Sequence, residues 1–182
     1  MKKYNIIYAD PPWEYRNQSI NHTDGKALAF NHYKTLSVEE ICKIKVGEIA
    51  DKNCALFIWV TFPNLPEVFR VIKHWGFTYK TVAFVWVKTT KNKKLFMGTG
   101  YYTRANSEIC LLATRGTVKP ISHSIHSILL FPILGHSRKP NEIRKRIVEL
   151  FGDLPRIELF SRMKWDGWDS WGNEVINSIE LT

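Results

Sequence analysis

The sequence predicts an α/β fold, an open sandwich whose mostly parallel sheet carries helices on both faces. Three observations lead there. The strand candidates are continuous apolar runs, as strands buried on both faces read. Helix signals separate several of them, as crossovers between parallel strands require. The chain has 182 residues, 45% hydrophobic and 24% charged, enough for one packed core and ordinary for a globular protein. A single domain over 1–182 is expected.

Residues 4–9 form the first apolar run, stopped by Asp10-Pro11-Pro12, and read as a buried strand entering a turn. Residues 14–34 are polar and irregular, a long loop of the kind that usually serves function. Ser37-Val38-Glu39-Glu40 is a capping box, and Ile41, Ile44, Val46 and Ile49 follow, predicting a helix over 38–49. Residues 54–60 are a second buried strand. A helix then opens at Asn64-Leu65-Pro66-Glu67, presents Val68, Val71 and Ile72, and stops at Gly76. Residues 81–87 and 109–113 are further strands, 140–152 a helix from Pro140 to Gly152, and 156–160 a last strand.

Charge is distributed unevenly. The net charge is +9, and residues 80–119 account for +7 of it, with eight cations against Glu108 alone. Within that segment Lys88, Lys91, Lys93, Lys94 and Arg104 are interleaved with Phe96, Tyr101 and Tyr102. The mixture suits phosphate contacts with base stacking, and equally a solvated, lysine-rich loop. Cys42, Cys54 and Cys110 form no CxxC pair, so neither a disulfide framework nor a zinc site is indicated. His123 and His126 lack a nearby cysteine or carboxylate, and no metal is expected. Gly98-Thr99-Gly100 has no third glycine and reads as a turn. The apolar stretch after Lys2 and Lys3 is too short for a signal peptide, and none reaches a membrane span, so a cytoplasmic setting is expected.

The chemistry concentrates in Asp10-Pro11-Pro12-Trp13, at the carboxyl end of the first strand, where open α/β sheets bind ligands. Prolines stiffen the loop and leave their carbonyls as acceptors; Asp10 adds a carboxylate, and Trp13 offers a flat face. A planar ring bearing an amino group, such as adenine, fits this notch. Its amine is a poor nucleophile because the lone pair is delocalised. Acceptors out of the ring plane localise that pair and stabilise the charge developing during attack on an electrophilic methyl.

YADPPW, then HYKTLSVEEI, LFIWVT, VWVK, EICLL, SRKP, ELFSR and GWDSWGNE in this order, resembles the DPPW-type adenine methyltransferases. This is the family of the catalytic subunit of the eukaryotic messenger-RNA adenosine methyltransferase and of many small bacterial and phage enzymes. The resemblance implies a Rossmann-like, S-adenosylmethionine-dependent fold with circularly permuted motif order and methyl transfer to adenine N6. Residue by residue, it implies that Asp10, Pro11, Pro12 and Trp13 are catalytic, with Asp10 also near the cofactor's methionine end. Lys139 matches a cofactor-contacting lysine, and Phe160 and Arg162 match residues around the adenosine and ribose. Asn173 and Glu174 match positions that bind ribose hydroxyls. Glu158 matches a residue that touches cofactor or orients the strand end. The family's HKP is RKP here. The chain opens almost at the DPPW strand, so upstream cofactor contacts of longer relatives are expected to be missing, as is a separate target-recognition domain.

The expected partner is nucleic acid, DNA ahead of RNA, with Tyr15, Arg16, Lys34, Lys88, Lys91, Lys93, Lys94, Tyr102 and Arg104 framing it. A homodimer or an accessory subunit is the further expectation for partners. Competing readings are the same reaction on RNA and a non-catalytic binding subunit.

Overall fold

A computed structural model describes residues 2–14, 35–100, 102–133 and 138–181. The elements run β1 (Tyr4–Ala9), α1 (Val38–Lys43), α2 (Val46–Ile49), β2 (Ala50–Val60), α3 (Leu65–His74), β3 (Thr78–Thr89), β4 (Ser107–Arg115), β5 (Ile128–Pro132), α4 (Glu142–Phe151), β6 (Arg156–Leu159) and β7 (Asp169–Trp171). The strands form one sheet in the order β5-β3-β4-β2-β1-β6-β7. Among the described residues six strands share a direction, and β4 alone is antiparallel to its neighbours β2 and β3.

β1 lies inside this sheet and is covered on both sides, which is why its sequence does not alternate. Ile7 and Ala9 face one core with Leu56, Ile58, Ile109 and Leu111; Ile41 of α1, Val46 and Ile49 of α2, Val68 and Val71 of α3, and Trp75 just beyond α3 close it. Ile6 and Tyr8 face the other with Phe57, Phe84 and Cys110, closed by Ile143, Ile147 and Phe151 of α4. The expected mostly parallel sandwich with helices on both faces is therefore present.

Three local expectations change. The helix expected over 38–49 breaks at Ile44, which is extended at φ −65°, ψ 124°. Its apolar positions 41, 44, 46 and 49 include one two-residue step, which a continuous helix turns to its opposite side. Breaking there lets both Ile41 and Val46 be fully buried. β5 and β7 were not expected from the sequence. β5 is an edge strand in which Leu129 is buried while Ile128 and Leu130 are exposed, and β7 has only three residues. α3 ends as expected: Gly76 adopts φ +78°, open to glycine without strain. Among the described residues, no helix is long and apolar enough to cross a membrane.

Candidate active site

Asp10 follows directly on β1, at the sheet edge where the parallel strands end. The loop after it is pinned from both sides. Trp13 is 5% exposed and its Nε1 donates to Trp59 O at 2.9 Å. The Trp13 N–H donates to Pro11 O at 2.9 Å, and the Leu36 N–H to Pro12 O at 2.8 Å. Two expectations are corrected by this. The proline carbonyls are not free, each having one lone pair engaged. Trp13 is not a stacking wall, because burying its large apolar ring anchors the loop in the core. Leu36 in turn leads into Ser37, whose capping box with Glu40 starts α1, so the helix start is fastened to the Asp10 loop.

An alternating series of charges runs from Asp10. The Lys139 ammonium lies 2.8 Å from Asp10 Oδ1, 2.9 Å from Oδ2 and 3.2 Å from Glu108 Oε2, above the Trp59 ring. The other Glu108 oxygen, Oε1, accepts from Lys88 Nζ at 2.5 Å. Glu108 arrives because β4 runs against the other strands: its first residues lie at their carboxyl edge. Burial opposes the charge on Lys139, but Asp10 and Glu108 outweigh it and hold the ammonium protonated above the ordinary lysine range. Burial likewise opposes the Glu108 charge, yet Lys139 and Lys88 keep its carboxyl below the usual value. For Asp10 burial prevails over Lys139, and its carboxyl is raised. The two carboxylates on one lysine are thus driven apart, the arrangement by which sites separate proton-accepting from purely electrostatic roles.

A cavity of about 460 Å³ opens beside Asp10. It is lined by Asp10, Pro11, Pro12, Phe160, Arg162, Asn173 and Glu174, all expected from the sequence, by Trp171 and Gly172, and also by Leu36, Glu40, Ile44 and Ser161, which were not. Its floor forms where β6 ends. Phe160 takes φ +60° there, a left-handed conformation rare for a large residue, and its ring meets Trp171 edge-on at 5.4 Å. Gly172 permits the approach of β7: a Cβ there would fall 2.2 Å from Ser161 O. Arg162 and Glu174 pair across the mouth at 3.7 Å.

Other expected residues lie elsewhere. Glu158 is buried and clamped by Arg144 of α4, whose Nε donates to Oε2 at 2.7 Å, and it is not among the residues lining the cavity. Lys88 is committed to Glu108 and is not presented to solvent as the other cations are, a correction to its expected role in nucleic-acid contact. Lys91, Lys93, Lys94, Tyr102 and Arg104 are exposed. Tyr15, Arg16 and Lys34 lie outside the described residues. Glu108 was missed as a site residue, although its signal was present: one carboxylate at a strand start within eight cations. We expect Glu108→Gln to lower kcat about tenfold. With less negative charge near Asp10, it should also move the acidic limb of the kcat/KM pH profile to lower pH; a limb that stays in place removes Glu108 from Asp10's electrostatics.

The MT-A70 family model matches residues 4–174. The chain belongs to the MT-A70 family. It is 34% identical over 196 aligned residues to the type II methyltransferase M.MunI from Mycoplasma sp., covering 99% of this chain and 82% of that one. It is 29% identical to human N(6)-adenine-specific methyltransferase METTL4, over 96% of this chain and 38% of that one. Human N(6)-adenosine-methyltransferase catalytic subunit METTL3 is 24% identical, over 95% of this chain and 28% of that one. The chain therefore spans most of the first relative and well under half of the others. MT-A70 proteins are methyltransferases, generally dependent on S-adenosylmethionine, and in this MT-A70 chain Asp10 and Asn173 line one cavity while Lys139 pairs with Asp10.

Proposed function

We propose that this MT-A70 chain is a DNA methyltransferase that uses S-adenosylmethionine to methylate adenine N6, with residues 1–182 acting as one catalytic domain. The observation that carries the reading is the Asp10 carboxylate lining the same cavity as Phe160, Arg162, Asn173 and Glu174. Those residues fit the cofactor by their chemistry: an amide and a carboxylate for vicinal hydroxyls, an aromatic face for a purine, and Asp10 beside Lys139 for the charged amino-acid end. Bound there, S-adenosylmethionine supplies an electrophilic methyl group.

The chain's own work is at the acceptor amine. Asp10 accepts an N–H of the adenine amine, since a carboxylate has lone pairs to spare beyond those turned to Lys139. The remaining lone pair on Pro11 O or Pro12 O takes the second N–H. Together they localise the amine's electron pair and meet the positive charge that develops on it. Lys139 is already protonated and Glu108 holds its charge, so Asp10, with its raised carboxyl, is the group in this series suited to receive the released proton. Free Cys42, Cys54 and Cys110 suit a reducing, cytoplasmic setting.

The test is transfer of tritiated methyl from S-adenosylmethionine to DNA of varied sequence and to matched RNA, with the product base identified by mass spectrometry. N6-methyladenine in DNA is expected; label confined to RNA selects the alternative substrate, and no label at all defeats the enzymatic reading. The exposed Lys91, Lys93 and Lys94 bear on the DNA contact. Neutralising all three should flatten the salt dependence of DNA binding, each phosphate contact contributing about 0.9 to the log–log slope. An unchanged slope takes them out of the interface.

A further inference from the structure

The segment joining β3 to β4 has more structure than a solvated loop needs. Thr89 and Leu95 pair antiparallel, the Thr90 N–H donates to Lys94 O at 2.8 Å, and the Phe96 N–H donates to Lys88 O at 2.9 Å. Residues 88–96 are therefore a tight hairpin, turning at Lys93 with φ +59°. Its tip carries exposed Lys91, Lys93 and Lys94. Its foot is Lys88, three ion pairs from Asp10 through Glu108 and Lys139.

Where the chain returns to that foot, Leu95 is 62% exposed and Met97 75% exposed, on either side of half-buried Phe96. Beyond them the backbone doubles on itself. A Cβ on Gly98 would lie 2.2 Å from Ala105 O, and one on Gly100 1.9 Å from Thr103 O. Only glycine allows so close an approach, and it keeps the projection slim.

Cations at the turn and exposed apolar side chains on the returning strand thus sit side by side on one short element. The geometry points to Leu95 and Met97 as an apolar wedge that enters the base stack of duplex DNA when the target adenine leaves it. Lys91, Lys93 and Lys94 hold the flanking phosphates. The inference rests on the reading of this protein as a DNA adenine methyltransferase. A paired adenine has to be extruded before its amine can meet Asp10, and unstacking opposes that. Apolar side chains inserted between bases fill the vacated space and offset the lost stacking, as wedge residues of minor-groove proteins do. A single strand presents no partnered stack to repair, so the wedge matters there far less.

The experiment compares wild type with the double variant Leu95→Ala/Met97→Ala. The substrate is random-sequence DNA, supplied as duplex and as separated strands, in tritiated methyl transfer. Both residues are exposed, and thermal melting confirms that the variant is folded. The ratio of duplex to single-strand transfer should fall about tenfold or more, and Met97→Leu alone should keep it. An equal loss on both forms, or no loss on either, overturns the wedge. Wild-type protein that methylates single strands only overturns the wedge and leaves the transferase reading standing. Transfer to neither form overturns both.

Discussion

Asp10→Ala is expected to reduce methyl transfer on the order of 10³-fold or more while the protein stays folded. The size follows from what the carboxylate does. In the proposed reaction it is the charged acceptor for the adenine amine and meets charge that develops only as the reaction proceeds, so its loss falls on kcat more than on KM. The survival of the fold follows from its environment. Burial holds the Asp10 carboxyl above its usual range, so ionised Asp10 does not stabilise the native state by linkage. A carboxyl raised in the fold contributes fully below its unfolded pKa, and that contribution is lost as pH rises through the folded value. Lys139 retains Glu108 at 3.2 Å and is not stranded. Asp10→Asn keeps the shape, loses the charge and should be nearly as inactive. Activity of either variant within tenfold of wild type, measured at saturating S-adenosylmethionine, would sink the catalytic assignment.

The parts of this site legible in the sequence are those set by local chemistry. An apolar run ended by Asp10-Pro11-Pro12 can hardly be anything but a buried strand entering a rigid turn, and β1 is that. The capping box at Ser37 placed the start of α1 correctly, because the reciprocal hydrogen bonds involve only residues three apart. What stayed hidden depends on partners distant in the chain. Trp13 reads as a free aromatic face until Trp59 O, contributed by β2, is seen to accept its indole N–H. Glu108 enters the site only because β4 is antiparallel, and direction is not written in an apolar run. β3 and β4 are joined through a hairpin segment, with no crossover helix, and in retrospect that absence was the clue. Lys88 illustrates the converse error: counted by composition it is one more surface cation, but its position opposite Glu108 binds it into the series that reaches Asp10. β5 and β7 escaped because short edge strands have one face or neither fully buried, and so lack the periodic signal on which strand reading depends.

The second large effect belongs to Arg144 of α4. Its guanidinium is bound through both Nε and Nη2 to Glu158, stacks on the Trp165 ring at 4.3 Å and lies 5.2 Å from the Tyr8 ring. Both partners are buried. Arg144→Met keeps apolar volume but leaves the Glu158 carboxylate without its cation, and breaking a buried pair from one side costs about 3–5 kcal/mol. Replacing both, as Arg144→Met/Glu158→Met, removes the stranded charge and should recover most of that loss. Titration fixes the sign. Burial already holds the Glu158 carboxyl above its usual range despite Arg144, and removing the cation drives it further up. The folded variant then binds a proton more tightly than the unfolded chain, so its stability falls as pH rises. Denaturant titrations should show the deficit of Arg144→Met widest at neutral pH and narrowing as pH falls towards the ordinary glutamate range. The floor residue Phe160, two positions beyond Glu158, should shift with the pair, and calorimetry should show weakened S-adenosylmethionine binding in the single variant. A deficit that does not vary with pH would show that the stacked rings, and not the ion pair, hold this end of β6 in place.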